Sequence, residues 1–169
     1  MGDTKELESR LNEAIADVRK RKDRAGDDTL RIAFCGSFSV GKSSLINALV
    51  GVEDLLPCGI IPVTMQVTRI AYGRKPSFKV RTPDQREKWI DRAAFRALAA
   101  TPACDIPGLA PGEHIETEVR CHSPLLYRDV EFIDTPGFDE QAGDVMDKNT
   151  LKALQTADVC VMCFNPLKF

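Results

Sequence analysis

Apolar residues recur along this chain with two different periods. Residues 3–25 carry Leu7, Leu11, Ile15 and Val18 at helical spacing in a charged background, and Gly26 follows as a stop. So narrow a stripe suits either packing on the chain's own domain or the seam of a helical bundle. Residues 1–28 are therefore read as an N-terminal amphipathic helix, docked on its own domain or serving as a bundle or neck arm. From Leu30 the pattern changes. "LRIAFCG" is a short apolar run ending in glycine, as a buried parallel strand would be. "KSSLINALVG" then places Leu45, Ile46, Leu49 and Val50 on one helical face and closes at Gly51. Strand-like runs follow at "MQVTRIAYG", "SFKVRT", "ETEVRC", "DVEFID" and "DVCVMCF". Between them "PDQREKWIDRAAFRALAA" predicts a helix opening at Pro83 and Asp84, with Trp89, Phe95 and Leu98 as its apolar positions. A further helix is predicted over 143–156.

Helices alternating with apolar strands predict an α/β sheet, with some antiparallel pairing in the hairpin-like stretch 66–134. At 169 residues and 43% hydrophobic content the chain can bury one ordinary core. A net charge of -2 shows no basic excess, so nucleic acid is not expected as a partner. No basic start leads into an apolar run, and no run approaches the roughly 18 apolar residues of a membrane span. The expectation is a cytoplasmic protein, peripheral at a membrane if it meets one. Six cysteines are too sparse for a disulfide scaffold, and Cys35, Cys160 and Cys163 lie in apolar runs, where reduced core thiols are expected. Cys160-x-x-Cys163 lacks the second pair or neighbouring histidine that zinc would need. His114 and His122 are isolated and read as surface or strand residues. "RKRKDR" at 19–24 is a solvated helix end or a contact for anionic lipid.

The candidate chemistry begins at "GSFSVGKS", Gly36 to Ser43, which fits G-x-x-x-x-G-K-[ST] between a predicted strand and a predicted helix. Four residues between the glycines let backbone N–H groups wrap a phosphate, and the helix starting at Lys42 adds its positive end. In this pattern Gly36, Ser37, Phe38, Ser39, Val40, Gly41, Lys42, Ser43 and Ser44 line the nucleotide. Lys42 reaches the terminal phosphates and the Ser43 hydroxyl binds Mg²⁺. A second anchor lies at "VEFIDTPG", where Asp134 ends an apolar strand and Thr135, Pro136 and Gly137 turn away. A carboxylate there suits a water-mediated hold on Mg²⁺, and Gly137 lets a backbone N–H approach a γ-phosphate. Taken alone, D-T-P-G is a common turn. Downstream of a phosphate loop, it resembles the D-x-x-G element of translation-factor-class GTPases, with "GFDEQAGD" as the switch region.

Between these anchors lies "LLPCGIIPVT", an apolar, proline-broken segment with one hydroxyl, at Thr64. "GSFSVGKSSLINALVG" followed by this segment resembles the dynamin superfamily, particularly its bacterial dynamin-like branch. There an L-P-x-G segment carries a threonine seven residues after its proline, the separation of Pro57 and Thr64. The resemblance covers roughly 30 to 164 and implies a P-loop NTPase fold. This is a Ras-like three-layer α/β sandwich with a mixed, mostly parallel sheet. It implies GTP hydrolysis to GDP with Mg²⁺, coupled to membrane remodelling in the full-length protein. Thr64 would belong to the first switch, binding Mg²⁺ with Ser43 and Asp134 and positioning the attacking water. Ser39 would stabilise transition-state charge, directly or through a monovalent cation, K⁺ or Na⁺. Ser39, Lys42, Thr64 and Gly137 are thus the expected catalytic set. Phe38 stands where many eukaryotic dynamins have glutamine, and Ile61 where some members have glycine, which shifts the catalytic expectation toward Thr64.

The N/T-K-x-D element that pairs with guanine is absent: Asn165 and Lys168 in "NPLKF" come one strand too early and no aspartate follows. Residues 29–169 are accordingly read as a partial dynamin-type GTPase domain, incomplete on its C-terminal side, either a fragment or a truncated paralogue. An uncovered sheet edge predicts poor solubility or association, with self-association across the nucleotide face. Two rivals remain: a non-hydrolysing nucleotide-binding scaffold, and a small assembly GTPase of the ribosome-associated kind.

Overall fold

A computed structural model describes residues 9–13, 15–16, 18, 28–58, 66–82, 84, 86–100, 116–137 and 148–165. Their strands are β1 (Leu30–Gly36), β2 (Thr68–Tyr72), β3 (Ser77–Arg81), β4 (Glu87–Ile90), β5 (Glu116–Cys121), β6 (Val130–Asp134) and β7 (Val159–Cys163). They form one sheet in the order β4-β3-β5-β2-β6-β1-β7. β1 runs parallel to both β6 and β7, and β2 parallel to β5, whereas β2–β6, β3–β5 and β3–β4 are antiparallel. The mixed sheet predicted from the alternating pattern is thus present. Its antiparallel pairs all lie within the hairpin-like middle.

The apolar run of β1 supplies both faces of the sheet, because successive side chains alternate. Leu30, Ile32 and Phe34 enter the main core with Ile46, Leu49 and Val50 of helix α1 (Lys42–Val50) and Phe95 of helix α2 (Arg92–Ala100). The smaller Ala33 and Cys35 face the other way, onto Ala153 of helix α3 (Lys148–Gln155). Two layers of helix thereby enclose the sheet. Phe34 and Phe132 meet edge to face at 5.2 Å across β1 and β6, and Phe78 stacks on Phe95 at 5.0 Å, which docks α2.

The described part of the N-terminal segment is helical, with Ile15 buried in the main core and Leu11 and Val18 against it. These three residues pack on the chain's own core. Truncating Ile15 to alanine should therefore lower stability by about 2–4 kcal/mol, read from the urea midpoint. A midpoint equal to wild type would mean that the stripe serves another surface.

Two expectations change. The helix predicted from Pro83 and Asp84 gives way to strand β4, and α2 starts only after Asp91, whose Oδ1 accepts from Ala94 N at 2.8 Å as an N-cap. Cross-strand partners override local helix preference here. Arg81 lies opposite Glu87 and Lys79 opposite Trp89, and Lys79 Nζ contacts Glu87 at 3.1 Å and Glu118 at 3.0 Å. The second change is Cys160, expected in the core but exposed on β7, which lies at the end of the strand order. Cys160 and Cys163 are three apart on a strand and so project to opposite faces. The helix predicted over 143–156 is seen as α3, and 143–147 lie outside the described residues, as does "RKRKDR".

Candidate phosphate-binding site

Parallel pairing of β1 and β6 sets Phe34 opposite Asp134, so the carboxyl ends of both strands reach the same edge of the sheet. In α/β sheets that edge is where ligands bind. The loop from Gly36 to Gly41 leaves β1 there and turns into α1. Gly41 sits at φ +91° as N-cap residue, and its carbonyl accepts from Leu45 N at 2.8 Å. Gly36 is at φ +146°, and a Cβ on it would lie 2.3 Å from the carbonyl oxygen of Cys163. Only glycine lets the loop leave β1 against β7 this closely. Ser39 takes φ +56° at the exposed tip of the loop, and Ser37, Phe38 and Val40 are half-buried around it. At the far end Gly51, at φ +69°, closes α1 as predicted.

Lys42 is 6% exposed, and its Nζ donates to the carbonyls of Gly36 and Ser37, both at 3.1 Å. Burial lowers its pKa below the usual 10.5, and the charge of Asp134 pulls in the opposite direction. An ammonium held with so little water is positioned to exchange loop carbonyls for phosphate oxygens. Ser43 Oγ donates to Asp134 Oδ2 at 2.7 Å, across 91 residues of sequence, and Asp134 is buried. Ser44 is exposed on the next position of α1. Two of the three sequence-predicted metal ligands therefore meet directly. A hydroxyl and a carboxylate side by side are the hard oxygen donors that Mg²⁺ prefers.

Gly137 closes the site from the β6 side. A Cβ on it would lie 2.7 Å from Phe38 Cα, 3.0 Å from Phe38 N and 3.2 Å from Lys42 Nζ. The D-T-P-G turn and the phosphate loop thus face each other across a gap that a single methyl would fill. Thr64 lies outside the described residues, as does 138–144 of the predicted switch.

Two contributors were not legible in the motifs. Thr135 reads as part of a turn, yet its buried Oγ1 donates to Phe34 O at 2.8 Å and ties the end of β6 to β1. The carbonyl of Cys163 forms the floor beneath Gly36. Nearby, Cys35 Sγ lies 3.2 Å from Cys160 Sγ, and burial pushes the Cys35 thiol up to about 12, so it stays neutral beside the site.

A model of the dynamin family matches residues 32–166. Dynamin-like protein 2 of Campylobacter jejuni is 30% identical over 142 residues, covering 83% of this chain and 20% of that protein. Isoniazid-induced protein IniC of Mycobacterium tuberculosis is 32% identical over 145 residues, covering 84% of this chain and 28% of that protein. Among solved structures, a chain from an oligomerised bacterial dynamin pair superposes with a TM-score of 0.56 at 23% identity, over 92% of this chain and 22% of that one. That likeness concerns the fold. The chain spans less than a third of each of these relatives. The matched stretch contains both the phosphate loop and the strand-end aspartate it meets, and on that agreement the chain belongs to the dynamin family.

Proposed function

We propose that this chain is the nucleotide-binding part of a dynamin-like GTPase, binding GTP and GDP with Mg²⁺ and hydrolysing GTP. The observation that carries the reading is the Ser43–Asp134 contact at 2.7 Å, beside a buried Lys42 and under a glycine-only turn. Backbone N–H groups of Gly36 to Ser44 would cradle the phosphates at the start of α1. Lys42 would neutralise charge on the terminal phosphates, and Gly137 N–H would bond the γ-phosphate. Ser43, Asp134 and Thr64 would hold Mg²⁺, whose charge offsets the negative charge building on the transferred group. Ser39, at the loop tip, would stabilise that charge itself or through K⁺ or Na⁺. Thr64 would orient the attacking water.

Residues 29–169 form the nucleotide-binding part in this reading, and residues 1–28 an N-terminal amphipathic helix. The longer protein would couple turnover to membrane remodelling and self-associate across the nucleotide face. The neighbour of the same fold is an oligomerised bacterial dynamin pair, which supports the self-association. Among the described residues no helix is long and apolar enough to cross a membrane, so contact would be peripheral or made by other regions.

Isothermal titration of GTP, GDP and ATP in the presence of Mg²⁺ tests the proposal. Preferential binding of guanine nucleotides is expected; equal affinity for ATP would remove the guanine assignment, and no binding at all would remove the function. In a chain that turns over GTP, Thr64→Ala should slow kcat more than about tenfold and change nucleotide affinity little. An unchanged rate would exclude Thr64 from the chemistry.

A further inference from the structure

Two thiols meet at the foot of the phosphate loop. Cys35, immediately before Gly36, has its sulfur 3.2 Å from that of Cys160, across 125 residues of sequence. The strand register accounts for the meeting. Cys160 lies opposite Ala33, so it projects to the α3 face of the sheet, where Ala33 and Cys35 also point. The pair is unequal in access: Cys35 is 2% exposed, whereas Cys160 is exposed on β7, at the end of the strand order. Three residues beyond Cys160, on the same strand, the carbonyl of Cys163 forms the floor under Gly36.

We propose that Cys35 and Cys160 form a reversible disulfide under peroxide, and that this bond shifts β7 against β1 and weakens nucleotide binding at the loop. The effect on binding rests on the nucleotide reading above; the bond itself rests on the sulfur geometry alone. The exposed Cys160 thiolate attacks one peroxide oxygen, the O–O bond breaks, and the departing hydroxide takes up a proton as water, leaving a sulfenic acid. The Cys35 sulfur then attacks the Cys160 sulfur and the S–O bond breaks. Hydroxide leaves with the Cys35 proton as a second water, so the two thiols have given the peroxide two electrons. Burial keeps Cys35 neutral, which makes it the second thiol to react, and its fixed nearness to Cys160 offsets its low thiolate fraction. Bond formation draws the sulfurs from 3.2 Å to about 2.05 Å. Diagonal neighbours in a sheet stand about 7–8 Å apart at Cα, beyond the usual disulfide span of about 4.4–6.8 Å, so the strands must move. Among the described residues β7 pairs with β1 alone, and it is the strand that yields. Its displacement reaches Gly36 through the Cys163 carbonyl, where a Cβ would already lie at 2.3 Å.

The test treats the full chain with hydrogen peroxide, followed by mass mapping and by titration with GDP and Mg²⁺. The wild-type chain should lose two hydrogens in mass, fragment ions should place the link between Cys35 and Cys160, and dithiothreitol should reverse it. Affinity for GDP should fall about fivefold or more on oxidation and return on reduction. Cys160→Ser changes an exposed side chain outside the site. It should bind as the reduced wild type does and stay within about twofold of that affinity after peroxide. A link between other cysteines, or none, overturns the proposal. So does an oxidised wild type with unchanged affinity, or an equal loss in Cys160→Ser, which would assign the effect to another thiol. If the reduced wild type binds no nucleotide, the function reading falls and the effect on binding with it, while the mass map alone decides whether the disulfide forms.

Discussion

Gly36→Ala should destabilise the chain by about 3 kcal/mol or more and abolish nucleotide binding with it. The added Cβ would lie 2.3 Å from the Cys163 carbonyl oxygen and 3.2 Å from Val40 Cγ2, at a backbone φ of +146° that other residues rarely adopt. The clash is with the backbone of β7, the strand next to β1 at the end of the order, so no side-chain rotation relieves it. Either β7 must move off β1, which loses parallel pairing, or the loop must leave the strand along another path. Gly51→Ala is the matched control. It also has positive φ, at +69°, but nothing lies within 4 Å of its Cβ position. Backbone strain alone should cost it about 1 kcal/mol, with binding retained. Urea unfolding and nucleotide titration on both variants check the pair. Similar midpoints for the two would mean that the contact with Cys163 does not control the loop.

Lys42→Met should separate stability from function in the opposite sense. Nucleotide affinity should fall roughly a hundredfold or more, because charge-assisted bonds to phosphate are lost at about 1.5–3 kcal/mol each. Stability should stay within about 1 kcal/mol of wild type. Folding takes this ammonium out of water, and its lowered pKa records that cost. Methionine keeps the apolar stem without the charge, and the loss is limited to the bonds to Gly36 O and Ser37 O. The pH dependence carries the same signature. A lysine whose folded pKa lies below 10.5 binds its proton less tightly in the folded chain than in the unfolded one. Its contribution to stability therefore improves as pH rises through the depressed folded value toward 10.5, and that rise should be missing in the variant. A variant that binds nucleotide like wild type would remove Lys42 from the site.

Much of the site is local in sequence, and so it was legible there. From Leu30 to Gly51, the strand, phosphate loop and helix follow one another directly, with glycines marking each change of direction. Both helix ends lie where the pattern places them. Asp134 is legible as a strand-end carboxylate for the same reason. Reading failed where a distant partner decides. "REKWI" has helix-compatible composition, yet β3 offers Lys79 and Arg81 to Glu87 and Trp89, and those pairings make it a strand. The Asn47 side chain meets the backbone of Leu56, nine residues away, a partner that no sequence pattern marks.

By itself the sequence determined where the candidate phosphate loop and its strand-end carboxylate lie, because glycine spacing, helix start and a strand-end carboxylate are all properties of short stretches. Tertiary structure alone decided that Ser43 and Asp134 meet at 2.7 Å, that Gly36 must clear Cys163 and Gly137 must clear Phe38, and that Ile15 belongs to the core. Each of these depends on the register between strands and on packing between remote segments. One residue of slip would turn every such side chain to the other face of the sheet.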